Sequence, residues 1–245
     1  MQKRGAALYT GRAGGQNLCM KHYPQLPLSV FGWTYWVPML VAGVLLTAAL
    51  ALVVWPLALI AAILTLAAMA FFRDPPRQVP QEQRIMVAPA DGTVTDITPM
   101  PAHGLLGADG LRVGIFLSVL DVHINRSPCP ATVLATHFED GQFLDARHPD
   151  CGVLNQSNTL VLGDASAAAQ QPIAVLRQVV GAIARRIICP LAPGDAVAQG
   201  QRIGMIAFGS RTELIVPNPA AWEVLVKPGQ RVKGGRDILL RRTHP

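Results

Sequence analysis

The feature that most constrains this chain is a run of 38 residues without any charged side chain, from Tyr35 to Phe72. A helix that spans a bilayer needs about 20 apolar residues, so this length suits two spans better than one. Trp55-Pro56 lies near the middle of the run, where an interfacial aromatic ring and a helix-breaking proline favour a turn. We therefore predict a membrane anchor at residues 35–72 that forms a transmembrane helical hairpin. One long tilted span, or a re-entrant hairpin, is the alternative.

Positive charge flanks this apolar run on both sides. Residues 1–34 carry four basic residues and no acidic one, Arg73 follows the run directly, and residues 211–245 carry seven basic and three acidic residues. Basic flanks stay on the cytoplasmic side, so both ends of the anchor are expected at the inner face of the cell membrane. They also favour an anionic lipid surface. Residues 1–34, rich in glycine and polar residues, are predicted to be poorly ordered.

The remaining residues, 73–245, have the pattern of one mainly β domain with minor helix, barrel-like or sandwich-like. Glycine, proline and aspartate separate short runs that are rich in β-branched and apolar residues. Val179–Arg186 is the one run that suits a short helix, and it could equally continue a strand. The predicted strands are Arg84–Val87, Thr93–Ile97, Leu111–Ser118, Thr132–Ala135, Thr159–Leu162, Ile173–Val180, Ile187–Cys189, Ile203–Phe208, Glu213–Val216 and Glu223–Val226.

A weak internal repeat connects two parts of this domain at a constant offset of 35 residues. Its first copy contains Pro193-Gly194, Val197, Gly200 and Ile203, and its second contains Pro228-Gly229, Val232, Gly235 and Ile238. Biotinyl and lipoyl carrier domains use similar turns, but they need a modifiable lysine at a hairpin tip, and no such lysine lies between these two copies. The repeat therefore predicts two equivalent β-turns of one barrel.

Composition excludes several classes of protein. The four cysteines are scattered and form no C-x-x-C pair, so neither a zinc site nor a disulfide framework is expected. The sequence pI is about 9.5, yet no basic strand interleaved with aromatic residues supports a nucleic-acid partner. The basic charge is better explained by the membrane.

Three segments carry residue types that can do chemistry. An acid lies in the turn Ala88-Pro89-Ala90-Asp91-Gly92, a histidine lies in Leu117–Arg126, and Gly204–Arg211 ends an apolar strand with Gly209-Ser210. Acid, imidazole and hydroxyl together are the groups that activate a nucleophile. The residues alone do not separate a serine hydrolase from an enzyme that processes its own chain.

The same segments resemble the phosphatidylserine decarboxylase family of the short bacterial type. The likeness includes Phe71-Phe72-Arg73-Asp74-Pro75 before them and Ala184-Arg185-Arg186-Ile187 between them. It runs in consistent order from about Trp36 to Pro217. Asp-Val-His-Ile-Asn-Arg (residues 121–126) and Phe-Gly-Ser-Arg (residues 208–211) are its most specific blocks.

This resemblance implies that the chain is a proenzyme that cuts itself between Gly209 and Ser210. The products would be a β chain of residues 1–209 and an α chain of residues 210–245, held together without a covalent bond, with the oligomeric state left open. Ser210 would become a pyruvoyl group, the covalent cofactor, whose carbonyl forms a Schiff base with the substrate amine. No metal and no added cofactor are implied.

The resemblance also assigns roles to two further residues. His123 would take the proton from the Ser210 hydroxyl and later return a proton to the product, while Asp91 would orient His123 or stabilise its cation. Longer family members carry a second histidine where this chain has Arg126. The division of roles is therefore open, and His137 is a second candidate.

The leading hypothesis is pyruvoyl-dependent conversion of phosphatidylserine to phosphatidylethanolamine at the cytoplasmic leaflet. A close variant would act on an ether-linked serine lipid. A membrane serine hydrolase that uses Ser210, His123 and Asp91 is the second hypothesis, and it requires an intact serine in the mature chain. A non-catalytic, membrane-tethered β domain is the third.

Overall fold

The computed structural model describes residues 26–82, 84–148, 150–164, 171–183, 186–207 and 209–243. Strands make up 40% of the described residues and helices 23%, so the predicted mainly β class is confirmed. The helices are concentrated in the N-terminal hairpin, and the strands form a curled half-barrel after it.

The apolar run folds into two helices. A 3-10 turn at Val30–Gly32 leads into α1 (Trp33–Val53), which is followed by α2 (Trp55–Phe71). At about 1.5 Å per residue these helices are roughly 31 and 26 Å long, close to the ~30 Å apolar thickness of a bilayer. By length and composition, Val30–Val53 could cross a membrane, and α2 is a shorter apolar helix.

The two helices pack antiparallel, as a hairpin. A Cβ at Gly43 would lie 2.3 Å from Oγ1 of Thr65, so the missing side chain lets α1 and α2 approach closely. These two residues are equidistant from Val54, where the helices break just before Trp55-Pro56. The hairpin turn therefore lies where the tryptophan and proline predicted it.

The base of the hairpin is closed by main-chain hydrogen bonds. The Ser29 N–H donates to the Phe72 carbonyl at 2.7 Å, and the Asp74 N–H donates to the Pro27 carbonyl at 2.9 Å. Of the segment predicted to be poorly ordered, residues 1–25 lie outside the described residues, and residues 26–34 form this closure and the start of α1. That helix begins two residues before the predicted anchor because Trp33 and Thr34 continue the preceding turn.

After the hairpin, the described residues contain fourteen strands, one short α-helix and a 3-10 turn at Pro219–Ala221. The helix is α3 (Cys151–Leu154). The strands are β1 (Ile85–Val87), β2 (Gly92–His103), β3 (Ala108–Leu117), β4 (Ile124–Arg126), β5 (Ala131–Glu139), β6 (Ser157–Gly163), β7 (Pro172–Val179), β8 (Ile187–Ile188), β9 (Ala196–Val197), β10 (Arg202–Ile206), β11 (Ser210–Pro217), β12 (Trp222–Val224), β13 (Arg231–Val232) and β14 (Ile238–Arg242).

These strands form three antiparallel sheets. The large sheet has the order β13-β2-β3-β11-β7-β6-β5-β9, and the two small sheets have the orders β1-β14-β12 and β4-β10-β8. Each of the ten predicted strands matches an observed one, whereas β4, β9, β13 and β14 were not predicted. The possible helix at Val179–Arg186 is wrong over the described residues 180–183, because the Val180 N–H donates to the Gln156 carbonyl and extends the pairing of β7 with β6.

The 35-residue repeat corresponds to two equivalent turns. Gly194 and Gly229 have φ of +94° and +85°, and Gly200 and Gly235 have φ of +69° and +73°. The first copy places β9 against β5 and the second places β13 against β2. The predicted equivalence of the two turns is therefore confirmed.

Strand β11 lies between β3 and β7, in the middle of the large sheet. Alternate residues of a strand point to opposite faces. Its inner face carries Ser210 and Thr212, followed by Leu214 and Val216, which belong to the main apolar core. Its outer face carries Arg211 and Glu213.

Candidate active site

The chemistry-bearing segments meet where β11 begins, beside the base of the helical hairpin. Ser210 pairs with Leu117 at the last position of β3, and His123 lies in the turn between β3 and β4. The ring of Phe71, the last residue of α2, lies 4.4 Å from the His123 ring, centroid to centroid. The helical hairpin therefore packs directly against the candidate site.

His123 is held as a neutral base. Its Nε2 accepts a hydrogen bond from the Gly209 N–H at 3.3 Å, so the ring proton is on Nδ1 and is donated to the Asp121 carbonyl at 2.9 Å. The side chain is 0% exposed. Burial, which disfavours the charged imidazolium, lowers the pKa of His123 to about 4. The lone pair of a neutral imidazole thus faces the 209–210 segment.

Gly209 adopts a backbone conformation that glycine permits because it has no side chain. Its φ is +64°, in the left-handed region that side chains disfavour. A Cβ on Gly181 would lie 2.0 Å from the Gly209 carbonyl oxygen. A second glycine therefore makes room for that carbonyl, which belongs to the bond that joins residues 209 and 210.

The Ser210 hydroxyl is buried and unpaired. The residue is 0% exposed, and in the described part of the chain Oγ has no hydrogen-bond partner. Leaving a buried hydroxyl unsatisfied costs on the order of 1–3 kcal/mol. Such a group in a folded protein calls for an explanation, and catalysis is one.

Asp91 lies near the site but contacts other groups. Its carboxylate accepts from the Arg77 guanidinium at 2.7 Å and from the Gly234 N–H at 2.8 Å. Burial raises its pKa despite the stabilising charge of Arg77. Asp91 was expected to orient His123. Among the described hydrogen bonds, His123 Nδ1 instead donates to the main-chain carbonyl of Asp121.

Asp121 is the contributor that sequence reasoning missed. Its carboxylate accepts from the Ser118 N–H and hydroxyl, at 2.9 and 2.7 Å, and it is paired with Arg231. These contacts fix the turn whose carbonyl holds His123. The aspartate is part of the motif block at residues 121–126, but a main-chain role leaves no signature in residue type.

A buried amide network lies behind Ser210 on the inner face of the sheet. Asn125 donates to the Thr212 hydroxyl at 2.9 Å and accepts from the Gln178 amide at 2.8 Å. Asn158 donates to the Gln178 carbonyl oxygen at 2.9 Å. These side chains are satisfied by one another, in contrast to Ser210, and they hold β4 against β7 and β11.

Arg126 and His137 both lie in positions that suggest a structural role. Arg126 donates to Asp74 at 2.8 Å and to the Gly200 carbonyl at 3.2 Å. It therefore joins the residue after the hairpin to one of the repeated turns. His137 lies opposite Thr159 in the β5–β6 pair, on strands other than those that carry the three motif segments.

The site combines a neutral base, an unpaired hydroxyl and an accessible main-chain carbonyl. These are the groups required for attack of a serine on the peptide bond that precedes it. A hydrolase would need its serine to meet a separate substrate, whereas Ser210 and His123 are both closed off from solvent. The geometry therefore suits chemistry on the chain itself.

Known proteins are similar in sequence to this chain over most of its length. Residues 64–240 match the family described as phosphatidylserine decarboxylase. A phosphatidylserine decarboxylase proenzyme of Solibacter usitatus is 42% identical over 80% of this chain and 91% of its own. The proenzyme of Carboxydothermus hydrogenoformans is 36% identical over 88% and 97%, and that of Symbiobacterium thermophilum is 40% identical over 86% and 93%.

Proposed function

The chain belongs to the phosphatidylserine decarboxylase family, and from this premise we propose that it decarboxylates phosphatidylserine to phosphatidylethanolamine after cutting itself between Gly209 and Ser210. The observation that carries the proposal is the buried Ser210 hydroxyl, unpaired among the described residues, directly after Gly209, whose N–H donates to a neutral His123. A serine that only filled space would be expected to find a hydrogen-bond partner.

Cleavage begins when His123 accepts the Ser210 proton and Oγ attacks the Gly209 carbonyl carbon. The bond from that carbon to the Ser210 nitrogen breaks as His123 gives its proton to that nitrogen, and an ester to Oγ replaces the amide. Loss of the Ser210 α-proton then breaks the Cβ–Oγ bond and releases Gly209 as a carboxylate. Water then hydrolyses the resulting unsaturated residue 210. Its nitrogen is released as ammonia, and its three carbons remain on the α chain as a pyruvoyl group.

The residues present fit a pyruvoyl group at position 210. Ser210 supplies its three carbons, and the residue is held at the start of β11 by pairing with Leu117. Once formed, the group supplies a carbonyl that can bind the substrate amine and withdraw electrons as carbon dioxide leaves.

His123 is proposed to serve in both stages because burial sets its protonation. In the closed precursor its pKa of about 4 leaves the ring neutral and able to accept a proton. Cutting the chain frees the Gly209 N–H segment from residue 210 and admits substrate and water. Hydration weakens the desolvation that lowers the pKa, so the ring can then carry a proton to the product.

Asp91 is proposed as a positioning residue of this site. It accepts from Gly234, which would lie in the α chain, while Arg77 on its other side lies in the β chain. Asp91 therefore joins the two products of cleavage next to the turn that carries His123. This arrangement replaces a direct hydrogen bond to the imidazole.

The two chains stay together through sheet pairing. The proposed α chain contains β11 to β14, and these strands pair with β1, β2, β3 and β7 of the β chain. Each pairing is antiparallel and includes buried apolar residues. A non-covalent α/β heterodimer follows without any change of fold.

The membrane hairpin would keep the site at the lipid surface. The turn after β3 lies beside the base of the hairpin, where Arg73 donates to the Leu120 carbonyl. The side chain of Leu120 is 83% exposed, and that of Ile183 is 66% exposed. Apolar tips next to a basic residue suit an interface with anionic lipid. We place residues 35–72 in the inner membrane and the catalytic domain, residues 73–245, on its cytoplasmic side.

Release of carbon dioxide from carboxyl-labelled phosphatidylserine in detergent micelles tests this function. Purified native protein should release label and form phosphatidylethanolamine, and the Ser210→Ala variant should do neither. Borohydride, which reduces the pyruvoyl carbonyl, should abolish the native activity. Label release by Ser210→Ala equal to native would refute the proposal.

A further inference from the structure

The outer face of β11 carries a buried group of charges that the cleavage chemistry does not use. Arg211, the residue after Ser210, donates through Nε to Glu213 at 2.7 Å, through Nη1 to Thr95 at 2.8 Å, and through Nη2 to Asp96. Arg112 lies at the edge of the same cluster, 3.1 Å from Asp96. We call these five residues the outer-face cluster.

The cluster is balanced and well buried. It contains two guanidinium groups and two carboxylates, and the side chains of Arg211 and Glu213 are 8% and 2% exposed. Burial lowers the pKa of Arg211, but the charges of Glu213 and Asp96 outweigh it and leave that pKa raised. Arg211 therefore stays charged, with its guanidinium fixed by three side chains.

The neighbouring backbone is shaped around this cluster. In the β2–β3 pair, Val94 faces Ile115 and Asp96 faces Gly114, so Thr95 is the extra residue of a β-bulge. A bulge can turn two consecutive side chains to one face, and here both Thr95 and Asp96 reach Arg211. A Cβ on Gly114 would lie 2.3 Å from Arg211 Nη2.

The contacts of Arg211 cross the proposed cut. Thr95 and Asp96 belong to residues 1–209, whereas Arg211 and Glu213 belong to residues 210–245. Before cleavage, the peptide bond to Gly209 holds residue 210 in place. After cleavage, residue 210 is the free end of a strand, and strand ends fray unless they are tied down. The side chain nearest to that end is Arg211.

We propose that Arg211 is a positioning residue, which Asp96 and Thr95 hold so that the group at position 210 stays fixed in the cleaved enzyme. The inference rests on the proposed cleavage at residue 209. The cluster lies on the face opposite to Ser210, so it acts through the backbone of β11 and not by contact with substrate. Fixed geometry at a reacting group governs turnover more than substrate affinity.

Asp96→Asn tests the inference with little change of shape. It removes the charge that holds Arg211 to the β chain, while Glu213 still neutralises the guanidinium. The variant should cleave as completely as native protein but decarboxylate with kcat reduced about tenfold and KM within about twofold. Asp96→Glu restores the carboxylate and should recover part of the lost kcat.

Glu82→Gln is the matched control. It breaks the pair of Glu82 with Arg241, at 3.3 Å, which also joins residues 1–209 to residues 210–245. Arg241 lies on β14, in a different sheet from the outer-face cluster. Its kcat and KM should equal those of native protein. Thr95→Val is a milder variant that keeps every charge and removes the hydroxyl that accepts from Arg211 and donates to Asp96. Its kcat should fall about two- to threefold at unchanged KM.

The outcomes separate this inference from the proposed function. Native protein that is neither cut nor active would overturn both. Native protein that is cut and active, with Asp96→Asn or Thr95→Val no slower than Glu82→Gln, would overturn the positioning role alone. Should Asp96→Asn cleave poorly, the kcat of fully cleaved Thr95→Val decides. A loss confined to KM would also contradict it.

Discussion

The two faces of β11 differ in how their polar groups are satisfied. On the inner face, Ser210 is buried and its hydroxyl has no hydrogen-bond partner among the described residues, while His123 is kept neutral. On the outer face, one residue further along, Arg211 has three side-chain partners and a balanced set of charges. The strand therefore presents an unsatisfied hydroxyl on one side and a hydrogen-bonded guanidinium on the other.

This difference indicates how one strand can serve a reaction that cuts it. A nucleophile must have its lone pairs free, which leaves it poorly held by its own side chain. The adjacent residue supplies the hold, because alternation places its side chain on the opposite face. Reactivity and rigidity are thus assigned to neighbouring residues, and each can be perturbed separately.

Removing the base on the inner face should have the largest effect. His123→Gln keeps a polar side chain of similar size but cannot take the Ser210 proton, so cleavage should slow by 10² to 10⁴-fold, the usual contribution of a general base. Gel analysis of freshly synthesised precursor over time measures the rate. Cleavage within a fewfold of native would show that another group is the base.

Crowding the carbonyl should come next. A methyl group at Gly181 would lie 2.0 Å from the Gly209 oxygen, so Gly181→Ala should displace that carbonyl and slow cleavage by about 10²-fold. Gly104→Ala is the control, because a Cβ there meets nothing within 4 Å. Gel analysis of precursor over time measures the cleavage rate of both variants. Equal rates would exclude a role for the close approach of Gly181 to the Gly209 carbonyl.

The pH dependence of cleavage should be small over a wide range. A base with a pKa of about 4 is neutral above that pH, so the rate should stay within about twofold from pH 8 to roughly pH 5 and fall below it. A histidine with the ordinary pKa near 6.5 would already slow cleavage at pH 6. A decline centred there would mean that His123 is not buried when it reacts.

The edge of the outer-face cluster should matter least. The Arg112 side chain is 23% exposed, and its loss leaves the three bonds of Arg211 intact. Arg112→Gln should cleave at the native rate and lower the free energy of unfolding by at most about 1 kcal/mol. Chemical denaturation of the detergent-solubilised protein measures this. A large loss of cleavage would indicate that the two faces are coupled.

Composition and periodicity predicted the parts of the fold that depend on apolar residues. The uncharged run and Trp55-Pro56 predicted the hairpin and its turn, and β-branched runs predicted ten strands. Of the unpredicted strands, β4, β9 and β13 have only two or three residues, whereas β14 (Ile238–Arg242) is longer and partly apolar. In β4, Asn125 and Arg126 are buried because Gln178 and Asp74 satisfy them, and residue type alone does not reveal such partners.

The site was predictable only where side chains carry the chemistry. Ser210 and His123 follow from their motifs, but the carbonyl of Asp121 and the missing side chain of Gly181 act through the backbone. Arg211 contacts a residue 115 positions away in the chain. No local pattern indicates a contact between positions so far apart, so the outer-face cluster becomes visible only in the folded chain.

The most direct test of this account is the intact mass of the detergent-purified protein beside its Ser210→Ala variant. Native protein should give two polypeptides, residues 1–209 and 210–245, with the smaller one lighter than its unmodified sequence by the mass of ammonia. The variant should give one uncut chain. A single chain in the native sample would contradict the assignment of Ser210 as the nucleophile that cuts its own backbone.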